Sequence, residues 1–293
     1  MANNILITGS SGFIGSCLTR SLRSSNSIYT CDTSNTNFDH KFLNIEDIDK
    51  YTLSMFDTIV HLGAISETNS SNLQDILKQN ITFTLNLISN SPPSCKIIYA
   101  SSASVYGKCE SSVSEGDATN GDSAYSKSKI AIDNIIKTFC QDRPIIGLRF
   151  FNVSSFNSEK HKKQPSPTFR FLQQLKENQE IKLFHGSDQI FRDFIYIDDV
   201  IDIIKFFIKH DINQSEIFNV GSGQSVSFEN IADALISKLG FGSKTFIDRP
   251  NNLTNNYQTF TLANIDKLKS FGYHTYIPSI LEHIENYEPE IRN

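Results

Sequence analysis

Short β-branched runs alternate with longer stretches of helical period through the first half of the chain. Ile5–Thr8, Ile28–Cys31, Thr58–Leu62, Lys96–Ala100 and Ile145–Phe151 are apolar runs of strand length. Between them, Phe13–Ser24, Leu73–Ser89 and Tyr125–Cys140 have helical patterns; in the last, Ile130, Ala131, Ile132, Ile135, Ile136 and Phe139 recur mostly at steps of three and four. The order strand, helix, strand predicts βαβ units, and therefore an α/β fold with a doubly wound parallel sheet.

Beyond Val153 the pattern changes. The polar stretch Ser154–Pro167, with His161, Lys162, Lys163 and two prolines, marks the expected domain boundary. A helix around Phe169–Glu177 follows, then a strand Phe191–Ile197, a helix Val200–His210 and a strand Ile217–Val220. A Gly-x-Gly turn then leads to a helix Phe228–Leu239, for which Ser227 is the expected cap. The expected organisation is a cofactor domain over residues 1–153, joined by 191–210, and a smaller C-terminal α/β lobe over 154–293 that takes the substrate. No internal repeat of solenoid period is present.

Composition removes several classes. The 293 residues carry 27 Lys and Arg against 32 Asp and Glu, a net charge of -5, so no basic excess stands ready to neutralise a nucleic-acid backbone. With 22 Phe and 10 Tyr the chain is too aromatic for a disordered one. Cys17, Cys31, Cys95, Cys109 and Cys140 are widely spaced, odd in number and without a C-x-x-C pair, which predicts reduced thiols and neither a disulfide framework nor a metal site. No apolar run reaches the length of a membrane span and no charged leader precedes Ile5, so a cytoplasmic protein with no membrane partner is expected.

The first strand runs straight into Gly9-Ser10-Ser11-Gly12-Phe13-Ile14-Gly15. A G-x-x-G-x-x-G loop between strand and helix sets a dinucleotide pyrophosphate on a helix N-terminus. Gly9 would give the tight turn, Gly12 the close approach of backbone to phosphate, and Gly15 the close packing of helix on strand. Asp32, at the end of the next strand and about 20 residues on, suits an adenosine ribose and so NAD; NADP needs a cation, for which Lys41 is available. Both cofactors stay open.

Strand Lys96–Ala100 leads into Ser101-Ser102-Ala103-Ser104-Val105-Tyr106-Gly107, and Tyr125-Ser126-Lys127-Ser128-Lys129 opens a helix. Tyr125 and Lys129, four apart, share a helix face. A lysine ammonium there would lower the phenol's pKa and let Tyr125 act as base toward a hydroxyl that Ser102 also bonds. The same spacing also suits a surface pair that covers apolar area.

Taken in order, TGSSGFIG, HLGA at His61–Ala64, SSASVYG, YSKSK, LRFFNV and RDFIYIDDV resemble the extended short-chain dehydrogenase/reductases of the NAD-dependent epimerase/dehydratase family, over nearly the whole chain. The resemblance implies a Rossmann fold and an enzyme that uses bound NAD or NADP to oxidise and re-reduce a hydroxyl of a nucleotide-diphosphate sugar. It implies catalytic Ser102, Tyr125 and Lys129, with Gly9, Ser11, Gly12, Phe13, Ile14, Gly15, Asp32, Leu62, Ala64, Tyr125 and Lys129 around the cofactor. It carries Ser102, Asn152, Arg192 and Tyr257 to the substrate. Downstream stretches, LFHGSDQIFRDFIYIDDV to NNYQTFTLANIDKLKSFGY, are similar to the ADP-glycero-manno-heptose 6-epimerases. There Lys162 of the His161-Lys162 pair matches a second base, although Lys163 competes for the position and Ser154-Ser155-Phe156 replaces the family's Tyr-Gly-Pro.

The same triad also serves UDP-hexose 4-epimerases and ketosugar reductases, and a catalytically idle NAD(P)-binding regulator would keep the glycine loop. A 4,6-dehydratase would need an Asp-Glu pair where Ala103-Ser104 stands. His61 is expected to pack beside the cofactor without titrating. Helices Leu73–Ser89 and Tyr125–Cys140 resemble the pair that dimerises in this superfamily, which implies a homo-oligomer.

Overall fold

A computed structural model describes residues 3–23, 27–33, 41–45, 48–66, 72–157, 165–249 and 258–288. The chain divides into two units, one over 1–107, 118–150 and 200–218, the other over 108–117, 151–199 and 219–293.

In the first unit the order is β1 (Asn4–Thr8), α1 (Phe13–Leu22), β2 (Ser27–Asp32), β3 (Lys41–Asn44), α2 (Lys50–Leu53), β4 (Thr58–His61), α3 (Leu73–Ile76) and α4 (Phe83–Asn90). Then come β5 (Lys96–Ser102), α5 (Ala124–Phe139) and β6 (Ile145–Phe150). β7 (Asn152–Ser154), α6 (Pro167–Asn178), β8 (Glu180–Phe184) and β9 (Phe191–Tyr196) belong to the second unit. The chain returns through α7 (Ile197–Lys209) and β10 (Glu216–Val220), then ends with β11 (Ser225–Ser227), α8 (Phe228–Leu239), β12 (Ser243–Ile247), α9 (Asp266–Ser270) and α10 (Ile280–Glu285).

The seven-stranded sheet has the order β10-β6-β5-β4-β1-β2-β3. β1 pairs in parallel with β2 on one side and β4 on the other, so the winding reverses between β1 and β4. Right-handed crossovers on either side of that point place helices on opposite faces of the sheet. This is the doubly wound Rossmann arrangement that the alternation of runs predicts. One face packs Leu6, Ile59, Ile97 and Tyr99 against Leu87, Ile88, Ile132 and Ile136 of α4 and α5; β4 and β6 are buried throughout, as their unbroken apolar runs require, whereas the edge strand β3 has no buried residue.

Local chemistry sets the helix ends. Ser123 Oγ accepts from Ser126 N at 3.0 Å to start α5. Ser166 precedes Pro167 at the start of α6, and Ser227 caps α8 as expected, its Oγ accepting from Asn230 N at 3.0 Å.

The second unit, the smaller α/β region, has a three-stranded sheet β11-β9-β7 and a two-stranded sheet β12-β8. Its core joins Leu172 and Leu175 of α6, Phe194 of β9, Ile231 and Leu235 of α8, and Ile280 and Ile284 of α10. The chain crosses into this unit after 150 and leaves it at 200, where the sequence reading sets 153 and 191. β9 stays in the second unit because its ladder partners are β7 and β11.

Two local features depart from the periodic pattern. The run Leu73–Ser89 is interrupted by a π turn over Leu77–Thr82. Phe139, which falls in the helical period of α5, is 80% exposed; it is the last residue of its helix.

Candidate active site

The glycine loop lies at the reversal point of the sheet, where loops after β1 and β4 come side by side. Gly9 has φ +69, and a Cβ there would meet Gly63 N at 2.5 Å. The two backbones therefore touch directly, and only glycine permits that contact at position 9. Gly12 N donates to Gly9 O at 3.0 Å, and the turn feeds α1 with Gly12 in extended conformation just ahead of it. A Cβ at Gly15 would strike the Gly9 carbonyl, so helix and loop are pressed together as the motif implies. The first-turn N–H groups of α1 have no residue behind them in the helix and present partial positive charge. This cradle fits a pyrophosphate.

Asp32 closes the loop from below. Its Oδ2 accepts from Ser11 N at 2.8 Å and its Oδ1 from Thr33 N at 2.7 Å. The carboxylate thus holds the glycine loop in place. Lys41, the cation available to a 2′-phosphate, donates to Tyr29 OH at 3.0 Å. Leu62 and Ala64 flank Gly63 on the loop after β4.

Ser102, Tyr125 and Lys129 come together where β5 ends beside the first turns of α5. Ser102 caps a short 3-10 turn over Ala103–Tyr106, accepting from Ser104 N at 3.1 Å, and hydrogen-bonds the Tyr125 phenol. Lys129 Nζ lies 5.8 Å from the centre of the Tyr125 ring and donates to Ala100 O at 2.7 Å. One expectation needs correction. Burial is the largest influence on Tyr125 and holds its phenol above the ordinary value, while the Ser102 hydrogen bond pulls it back. Lys129 is itself buried, which lowers its pKa to about 8 against an opposing pull from Asp133.

Behind the triad lies a buried polar network that the sequence reading missed. Asp133 accepts from Tyr99 OH at 2.8 Å and from Arg149 Nε at 2.9 Å; Arg149 Nη1 donates to Tyr106 OH at 2.9 Å. Asp133 is one turn beyond Lys129 on α5, and the Tyr-x-x-x-Lys-x-x-x-Asp spacing is the signal that would have found it.

His61 does not titrate near neutrality: burial drives its pKa down to about 3. Its Nδ1 is 2.6 Å from Thr8 Oγ1 and its Nε2 2.8 Å from Thr84 Oγ1. Thr84 Oγ1 donates its own proton to Asn80 O at 2.8 Å, so it must accept from Nε2–H, which fixes the tautomer.

In the second unit, Asn152 Nδ2 donates to Asp193 O at 2.9 Å and Thr261 Oγ1 at 3.2 Å. Arg192 is buried, donates to Phe191 O at 3.0 Å, and its guanidinium lies 6.0 Å from the Phe228 ring centre. Asp193, next along β9, points to the other face. Its carboxylate accepts from Ser222 N at 2.7 Å, Ser222 Oγ at 2.8 Å, Gly223 N at 3.0 Å and Ala263 N at 2.9 Å. Lys162, its competitor Lys163, and Tyr257 lie outside the described residues. Among the described residues no helix is long and apolar enough to cross a membrane, and no group of His, Cys, Asp and Glu gathers as metal ligands would.

The profile of the NAD dependent epimerase/dehydratase family matches residues 5–221. An ADP-L-glycero-D-manno-heptose-6-epimerase from Brachyspira hyodysenteriae is 33% identical across 92% of this chain and 92% of its own. Among solved structures, the ADP-L-glycero-D-manno-heptose-6-epimerase of Helicobacter pylori has a TM-score of 0.85 at 26% identity, covering 98% of this chain and 95% of that one. The UDP-glucuronic acid 4-epimerase of Bacillus cereus, in complex with UDP-glucuronic acid and NAD, has a TM-score of 0.80 at 24% identity, covering 96% of each; that likeness is one of fold.

Proposed function

The chain belongs to the NAD dependent epimerase/dehydratase family, and from that premise we propose that it is a nucleotide-sugar epimerase, most like the ADP-glycero-manno-heptose 6-epimerases, that inverts one sugar carbon by transient oxidation and re-reduction. The observation that carries this reading is the meeting of Ser102, Tyr125 and Lys129 at the carboxyl end of β5, in the unit that holds the glycine cradle. The heptose assignment is supported by the 33% identity to the Brachyspira enzyme.

Gly9, Ser11, Gly12, Phe13, Ile14 and Gly15 would hold the dinucleotide phosphates, Asp32 the ribose, and Leu62 and Ala64 the side of the cleft. NAD or NADP, when bound, supplies a cationic ring that takes up two electrons and a hydrogen from the sugar carbon and gives them back. Tyr125 takes the hydroxyl proton as the carbon is oxidised and returns it on re-reduction. Ser102 donates to the same oxygen and stabilises the charge that develops there, and Lys129 contributes its positive charge nearby. Ala103-Ser104 in place of an acidic pair leaves no acid beside Ser102 to expel water, which favours epimerisation over elimination.

Asn152, Arg192 and Tyr257 are proposed to contact the nucleotide-sugar, Arg192 through a diphosphate for which a guanidinium is suited. Lys162, or Lys163, is the proposed second base on the opposite sugar face. A homo-oligomer is proposed through the α3–α4 and α5 surfaces, supported by the exposed Leu73, at 57%, and Phe139. A cytoplasmic location is proposed on the reduced state expected of the five thiols.

Purified protein offered ADP-D-glycero-D-manno-heptose, UDP-glucose and UDP-galactose, each with NAD or NADP, tests the assignment. Inversion at the heptose C6 supports it, and inversion of a UDP-hexose alone moves the protein to the 4-epimerases. Net oxidation of NADH or NADPH on a nucleotide ketosugar, with no inversion of the three sugars, makes it a reductase. Tyr125→Phe should lower turnover by about 10²- to 10⁴-fold while sparing cofactor binding; near-parental turnover removes Tyr125 from the chemistry.

A further inference from the structure

Ser102 reaches the Tyr125 phenol from the head of the short turn Ala103–Tyr106, which it caps through its own Oγ. Whatever fixes that turn against α5 therefore fixes the serine against the phenol. Gly121, just ahead of α5, does part of this. Its N donates to Val105 O at 3.0 Å, and a Cβ there would strike Ser104 O and the Ser126 side chain.

The far end of the turn is held by its last residue. Tyr106 is 3% exposed; its OH accepts from Arg149 Nη1 at 2.9 Å, and the guanidinium carbon stands 4.9 Å from its ring centre. Arg149 Nε donates to Asp133 on α5, so one rigid planar fork spans from the turn of Ser102 to the helix of Tyr125 and Lys129. Tyr99 completes the grip on Asp133 by lying across β6 at Gly147, where a Cβ would meet the Tyr99 oxygen at 2.5 Å. An apolar pair of similar volume often serves stability as well as a buried ion pair. The fork supplies orientation, which apolar packing lacks.

We propose that Tyr106 is a positioning residue that acts through Ser102: gripped by Arg149, it holds the serine hydroxyl against the Tyr125 phenol. The inference rests on Ser102 and Tyr125 being catalytic. If the turn drifts, Tyr125 loses the hydrogen bond that offsets its burial, and its phenol then ionises at higher pH.

The test compares Tyr106→Phe, Tyr99→Phe, Ser102→Ala and the double variant of Tyr106→Phe with Ser102→Ala. Phenylalanine keeps the ring over the guanidinium and removes only the hydroxyl. Tyr106→Phe should lower kcat by about tenfold or more at unchanged sugar KM and dinucleotide affinity, and shift the acid limb of the pH profile upward. Tyr99→Phe loses a bond to the same ion pair but none to the turn, and should keep the parental acid limb. In the Ser102→Ala background, Tyr106→Phe should cost nothing further. Without any sugar, the Tyr125 phenol, titrated by ultraviolet difference absorbance against a Tyr125→Phe chain, should ionise at higher pH in Tyr106→Phe than in the parent. An unmoved phenol titration, an unmoved acid limb with parental kcat, equal losses in Tyr99→Phe, or losses that multiply in the double variant each overturn the proposal. Arg149→Lys, which keeps the charge beside Asp133 without the second arm for the phenol, is read against the same outcomes if Tyr106→Phe does not fold. Parental turnover in Ser102→Ala instead removes the serine from the chemistry and the proposal with it, whatever the phenol titration shows.

Discussion

Lys129 donates from Nζ to the carbonyl oxygen of Ala100 at 2.7 Å, a bond that ties α5 to the strand ending in Ser102. The ammonium is buried to make it. With its pKa lowered from 10.5 to about 8, the folded protein binds fewer protons than the unfolded chain between those values. Stability therefore rises with pH across that window, and below it the full cost of the buried charge is present. Lys129→Met should abolish turnover while stabilising the protein at pH 7 by on the order of 1–3 kcal/mol, read by chemical denaturation. Parental or lower stability in that variant would mean that the hydrogen bond to Ala100 outweighs desolvation.

Asp133 and Arg149 form an ion pair at 2.9 Å in which each side chain is 1% exposed. Removing one partner leaves a buried charge alone. Arg149→Met should cost about 3–5 kcal/mol, whereas the double variant Arg149→Met with Asp133→Leu should recover much of that loss. Additive losses in the double-mutant cycle would show that the two charges do not depend on each other.

Asp193 makes the opposite pH signature. Burial raises its pKa from 3.8 to about 6 despite four donors that pull it down. Between those values the folded protein binds more protons than the unfolded chain, so stability from this group falls as pH rises through the window. Asp193→Asn should remove that slope. It should also cost about 2–4 kcal/mol, because one amide oxygen cannot serve donors that now meet both carboxylate oxygens. Unaltered stability and an unaltered slope between pH 4 and about 6 would contradict the assignment.

The sequence made contiguous chemistry visible and hid what folding assembles. The glycine loop was legible because a strand, a spaced triplet and a helix follow one another, and Tyr125 and Lys129 because a helix places residues four apart on one face. The sheet followed from the alternation of apolar runs. That a Cβ at Gly9 would strike Gly63 N at 2.5 Å was not legible, because the two glycines lie on separate loops that only the pairing of β1 with β4 brings together. Arg149 and Tyr99 read as ordinary strand residues, and only the pairing of β5 with β6 and the approach of α5 bring them to Asp133. The π turn over Leu77–Thr82 fell within an unbroken helical pattern, since such a turn keeps the composition of a helix and alters only its bonding. Phe139 erred the other way: it fits the apolar spacing of α5, yet the buried face of that helix runs through Lys129, Ile132, Asp133 and Ile136 and leaves Phe139 exposed.

The most direct test of transient oxidation is a proton NMR time course in deuterium oxide, with ADP-D-glycero-D-manno-heptose and the preferred dinucleotide. The account predicts that the C6 epimer forms, that the hydrogen on the inverted carbon is retained, and that the dinucleotide is not consumed. Deuterium entering at that carbon, or no epimer of any nucleotide-sugar despite bound dinucleotide, would contradict it.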